Sequence, residues 1–113
     1  MGNRIKVTKG SGNVFRDLGF TAAEAEETLA KSELISAIAA TIAQRKLTQI
    51  AAARLCRTDQ PTLSKVLRGR MESVTIDKLT AWLTALGRTV EIRVRPGTTK
   101  GAGHLVVNAP RAT

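Results

Sequence analysis

From Thr21 onward, apolar positions recur at helical spacing, and one stretch near the C-terminal end switches to strict alternation. Thr21-Ala22-Ala23-Glu24 has the composition of a capping box, in which hydroxyl and carboxylate satisfy orphan N–H groups at a helix start. It predicts a first helix from about 22 to 30. Leu34, Ile35, Ile38 and Ile42 follow at three- and four-residue intervals and predict a second, amphipathic helix ending near Lys46. Two short helices are expected at about 48–56 and 60–68. Thr75 can cap a fifth, whose stripe is Ile76, Leu79, Leu83 and Leu86 with Trp82 beside it, and Gly87 stands where a left-handed stop belongs.

Thr89-Val90-Glu91-Ile92-Arg93-Val94-Arg95 alternates polar and apolar and reads as a strand, closed by Pro96-Gly97. The predicted fold is therefore all-α: five helices, with a short C-terminal β-strand used in dimerisation. A lone strand leaves a ladder of backbone groups unpaired. The same strand of a second copy, across a twofold axis, is the simplest partner. The sheet of another protein is the alternative. Before the helices, Val14, Phe15, Leu18 and Phe20 form a short apolar cluster expected to dock on them. The domain organisation expected is a flexible basic arm at 1–12, the domain at 13–96, and a flexible tail at 97–113.

The 113 residues allow one core with tails. Aromatic residues are only 3%, so the core rests on Ala, Leu, Ile and Val, which suits packed helices. The longest apolar run, Ala37 to Ala43, is far short of a membrane span, so no membrane partner is expected. No apolar signal segment follows the first basic residues. One cysteine, Cys56, excludes an internal disulfide and fits a reducing cytoplasm. A cytoplasmic, nucleoid-associated bacterial protein is the expectation. The net charge of +9 favours a polyanionic partner. Its distribution narrows this further: 48–70 carries Arg54, Arg57, Lys65, Arg68 and Arg70 against Asp59 alone, whereas 21–47 is slightly acidic.

Within that basic stretch, the two short helices must cross steeply through a turn of three or four residues. Ala53 supplies the small side chain for the crossing. Inward positions fall at Ile50 or Ala52, then Cys56, Leu63, Val66 and Leu67. Asp59 is placed as N-cap of the later helix, and Pro61 sits in its first turn, where no donor is lost. Gln60, Pro61, Thr62, Ser64, Lys65 and Arg68 then form an exposed polar, basic face that fits a major groove. Gln60 can pair bidentately with adenine, and Lys65 can reach guanine or a phosphate. Gln49 is placed to bind phosphate at a helix N-terminus, and Arg68 and Arg70 flank the groove. Thr58, in the turn, completes the candidate DNA-binding set.

Thr48 to Gly69 resembles the repressor-like helix-turn-helix of the Xre/Cro family. Asp59 to Arg70 is similar to the "SQP..S.LL.GR" signature of HigA-type antitoxins and their Xre relatives. Asn13 to Phe20 is similar to the "NVF.DLG" entry of that group, and Leu86 to Pro96 to its "LG..V.I.V.P" exit. The likeness spans about residues 13–96. It implies a homodimer on a palindromic operator, repression of its own operon and neutralisation of a cognate toxin. A stand-alone Xre-type repressor is the alternative reading. One residue departs: where the family places Gly in the turn, this chain has Arg57, which must accept a strained backbone or a different turn.

Other chemistry finds little footing. His104 is the only histidine and lies in a Gly-rich stretch, so neither a zinc site nor other metal or cofactor is expected. Glu24, Glu26, Glu27 and Asp77 read as charges favoured at helix N-termini, with the acidic cluster also a face that a basic toxin could contact. Cys56 reads as a buried structural thiol and Trp82 as core or dimer seam. No nucleophile, base or phosphate loop is positioned for catalysis. A non-enzymatic protein is expected, and an interaction adaptor that kept the fold without DNA binding is the further class considered.

Overall fold

The computed structural model describes residues 18–19, 21–97 and 101–109. The expected basic arm and most of the 13–20 cluster lie outside them; Leu18, in a turn with Gly19, is exposed.

Four helices form among the described residues: α1 (Ala22–Gln44), α2 (Gln49–Leu55), α3 (Gln60–Leu67) and α4 (Ile76–Ala85). Each opens on a short oxygen-bearing side chain that accepts the backbone N–H three residues on. These caps are Thr21 to Glu24, Thr48 to Ala51, Asp59 to Thr62 and Thr75 to Lys78. At Thr21 the box is reciprocal, since Glu24 Oε1 accepts the Thr21 N–H at 3.0 Å. Each helix also ends the same way. A left-handed residue follows the C-cap, and the next N–H returns to a carbonyl five residues back. The left-handed residues are Lys46, Arg57, Gly69 and Gly87, and the returning bonds are Leu47 to Ile42, Thr58 to Ala53, Arg70 to Lys65 and Arg88 to Leu83.

Two expectations are corrected. The helices expected at 22–30 and 34–46 are one helix, α1, so there are four rather than five. No Gly or Pro interrupts 22–46, and Lys31 pairs with Glu27 at 3.5 Å across the expected break. Burial runs through it as well, from Ala30 to Leu34 and Ile35. The second correction concerns 89–95: it is extended but forms no strand, because no segment among the described residues pairs with its backbone.

α1 packs chiefly on α4, and α2 on α3. Leu34, Ile35, Ile38 and Ile42 of α1 meet Leu79, Trp82, Leu83 and Leu86 of the last helix and its cap. Ala52, Ala53, Cys56, Leu63 and Val66 close the core from the other side. Trp82, 3% exposed, belongs to that core. Val90 and Val107 pack on its edge. The buried Thr41 Oγ1 donates to the Ala37 carbonyl at 2.7 Å and accepts from Arg88 Nε at 2.9 Å. Arg88 also reaches Gln44, and Arg45 Nη1 donates to the Leu86 carbonyl at 2.8 Å. Two arginines thus clamp the ends of α1 and α4 together, Arg45 on the Leu86 carbonyl that the end of α4 leaves without a helical partner, and Arg88 on side-chain oxygens of Thr41 and Gln44.

Candidate nucleic-acid interface

α2 and α3 form the helix-turn-helix. Ala52 and Ala53 lie at the crossing, 0% and 2% exposed, so two methyl side chains let the helices approach. Of the two residues offered for the inward position, Ala52 fills it, and Ile50 points out at 61% exposure. Cys56 closes the crossing as a buried thiol. Its Sγ–H faces the Trp82 carbonyl at 3.8 Å, and burial pushes its pKa up, which keeps it protonated and unreactive.

The turn between the helices runs through Arg57, at φ +58. The sequence left open a strained backbone or a different turn. The backbone is left-handed, the conformation that Gly adopts without strain and that costs a side-chain-bearing residue roughly 1–2 kcal/mol. The bonds from Arg57 N–H to the Arg54 carbonyl and from Thr58 N–H to the Ala53 carbonyl, at 3.1 and 3.0 Å, hold it there. Lys46, at φ +55, does the same at the end of α1.

α3 divides by face. Leu63 and Val66 are buried and Leu67 half-buried, while Gln60, Pro61, Thr62, Lys65 and Arg68 are exposed. Ser64 and Thr58 are half-buried, and Gln49 and Arg70 are exposed. The nine candidate residues therefore lie in or beside one helix-turn-helix, and none is sealed inside the core. Gln49 and Gln60, the first residues of α2 and α3, are joined directly: Gln60 Nε2–H donates to Gln49 Oε1 at 2.8 Å. The bond limits the rotamers of Gln60 while leaving its carbonyl oxygen and second N–H for another partner. Asp59 behind it serves as the cap. The hydroxyl and backbone N–H of Thr62 hold its carboxylate below the usual aspartate range. It stays ionised and adds one negative charge among five cations.

Some features had no sequence signal. The Gln49–Gln60 pair joins helix starts that only the crossing brings together. Arg54 and Arg57 entered the charge count but not the candidate set, yet both are exposed on the same unit. Elsewhere, the Leu105 N–H donates to Glu26 Oε1 at 3.0 Å, and His104 Nδ1 meets Glu26 Oε2. Part of the region expected as a tail therefore lies against the acidic start of α1. Those bonds hold the Glu26 carboxyl below the usual glutamate range, the Leu105 N–H contributing most. Among the described residues no group of three or more His, Cys, Asp or Glu could hold a metal ion, and no helix is long and apolar enough to cross a membrane.

A family model described as a helix-turn-helix domain matches residues 14–95. A solved structure described as an XRE family transcriptional regulator superposes with a TM-score of 0.63 at 34% identity, covering 75% of this chain and 98% of that one. Comparison with curated protein sequences gives no match. With the crossing, the turn and the matched span in agreement, the chain belongs to the helix-turn-helix domain family and shares its fold with an XRE family transcriptional regulator.

Proposed function

We propose that the protein is a sequence-specific DNA-binding transcriptional regulator that inserts α3 into the major groove of a palindromic operator as a homodimer. The observation that carries this reading is the exposed polar face of α3, with Gln60 held in place by Gln49 at its leading end. An amide restrained before binding loses less rotamer entropy when it pairs with a base, and its free carbonyl and N–H match the adenine edge. Lys65, Arg68 and Arg70 supply phosphate neutralisation around it, and Thr58, Pro61, Thr62 and Ser64 offer small contacts along the groove. The helix-turn-helix family and the XRE-type relative support the same reading.

The finer reading is that of a type II antitoxin that represses its own operon and neutralises a cognate toxin. It rests on the three stretches similar to HigA-type antitoxins and on the acidic beginning of α1, where Glu24 and Glu27 are exposed to a basic partner. A stand-alone repressor is the competing reading. Footprinting the protein on its own promoter, with and without the product of the neighbouring gene, separates them. Two protected half-sites about one helical turn apart support the regulator. A change of the footprint with the neighbour's product supports the antitoxin. No protection on any duplex at low salt overturns DNA binding.

A further inference from the structure

The stretch 89–95 carries four features. It is extended, it makes no backbone ladder, and its apolar residues Ile92 and Val94 are 82% and 93% exposed. It also borders two adjoining hollows. Val90 and Ile92 line a mainly apolar groove of about 390 Å³ with Leu34, Ala37, Leu83, Leu105 and Val107, and Thr89, Glu91 and Asn108 line it too. Thr89, Glu91 and Asn108 also border a second, more polar hollow together with Arg93. Residues 89–93 and 105–109 thus share two hollows, one mainly apolar and one more polar, with no backbone hydrogen bond joining them. A mainly apolar groove beside a more polar hollow, both bordered by segments whose backbones are not bonded to each other, suits an added β-strand with alternating side chains.

The chain carries such a strand itself. Antiparallel pairing of 89–95 with its own copy, centred on Ile92, sets Ile92 opposite Ile92 and Val90 opposite Val94. It also sets Glu91 opposite Arg93 twice. Shifting the centre by one residue, to Arg93, places two arginines face to face. Among the described residues of one chain, Glu91 and Arg93 pair only with each other, 3.5 Å apart on the same segment.

We infer that the slot between residues 89–93 and 105–109 receives residues 89–95 of a second copy, in antiparallel register centred on Ile92. Twofold symmetry then makes a four-segment sheet in which each chain's 89–95 lies between the partner's 89–95 and the partner's 105–109. Val90, Ile92 and Val94 of both chains cover the mainly apolar groove, and the unpaired backbone of both segments is satisfied. This deepens the dimeric reading proposed above and rests on it.

The test is site-directed cross-linking of the full chain. Directly opposed residues of an antiparallel pair have Cα atoms about 4.5–5.5 Å apart, within disulfide reach. Ile92→Cys should convert most of the protein to a covalent dimer under mild copper–phenanthroline oxidation. Glu91→Cys, offset by two residues from its own copy, should link no more than the natural chain, whose Cys56 is buried. Glu91→Arg should weaken the dimer about tenfold in sedimentation equilibrium, and Glu91→Arg with Arg93→Glu should restore it. A dimer that forms no link at position 92, or a monomer at every concentration, overturns the inference. Operator binding by the same samples reports separately on DNA recognition: DNA bound without the link removes the sheet and leaves the regulator.

Discussion

Gln60 donates its side-chain N–H to Gln49 at 2.8 Å, joining the first residue of α3 to the first residue of α2. The bond needs two glutamines and a fixed helix crossing. Gln60→Ala should weaken binding to the specific operator by about 1–3 kcal/mol and leave binding to random DNA nearly unchanged. Equal loss on both duplexes would show that Gln60 does not read bases. Gln49→Ala should cost less, and in the double variant the two losses should fall short of additive, as expected for partners in contact. Fluorescence anisotropy with both duplexes measures all four combinations.

Lys65 and Arg68 are expected to neutralise phosphates. Each phosphate contact contributes about 0.9 to the slope of log affinity against log salt. Lys65→Ala with Arg68→Ala should therefore flatten that slope by about 1.8. An unchanged slope would place the DNA face elsewhere.

Arg57 holds a left-handed backbone at φ +58. Gly in its place relieves that strain but adds freedom to the unfolded chain, so the two effects oppose each other. Relief is the larger, and Arg57→Gly should raise the unfolding free energy by about 0.5–1 kcal/mol, read by urea denaturation without DNA. A decrease would mean that the arginine side chain stabilises the turn by more than its backbone costs.

Thr41 and Arg88 make the clamp between α1 and α4. Thr41→Val keeps the shape but leaves the Arg88 Nε–H without its acceptor, at a cost of about 1–2 kcal/mol. Arg88→Ala should cost a similar amount, and the double variant should lose little more than either alone. Additive losses would show that the bond carries none of the stability.

Glu26 gives the contact of 104–105 with α1 a pH dependence. Its pKa is lowered in the folded protein, so the stabilisation is present above the ordinary glutamate range. It is lost as pH falls through the depressed folded value, where protonation removes the charged acceptor of the Leu105 N–H. The Leu105 amide proton resonance should titrate with a midpoint below that of an exposed glutamate, and in Glu26→Gln the transition should vanish. A midpoint at the exposed-glutamate value would show that the bond does not form in solution.

The helix-turn-helix was legible in the sequence because its signals are local. Asp59 caps the residue three positions on, Ala53 keeps the crossing small, and Leu63 with Val66 marks the inner face of α3. Local evidence ran out where two local choices were both acceptable. Ile50 and Ala52 could each have faced inward, and Ala52 does because the helix crossing leaves space for a methyl group. The stretch 31–33 could end a helix or continue one, and continuation prevails because Leu34 and Ile35 extend the buried face that Ala30 begins.

By itself the sequence determined the capped helix starts and which charges surround α3, since those properties depend on neighbours within a few positions; the continuity of α1 through 31–33 was not among them. Tertiary structure decided the contacts between distant residues. It brought Gln49 to Gln60, Arg88 to Thr41 and the Leu105 N–H to Glu26, across 11, 47 and 79 positions. It also left 89–95 extended without a ladder, because alternation favours an extended backbone but a strand exists only once another segment accepts its hydrogen bonds.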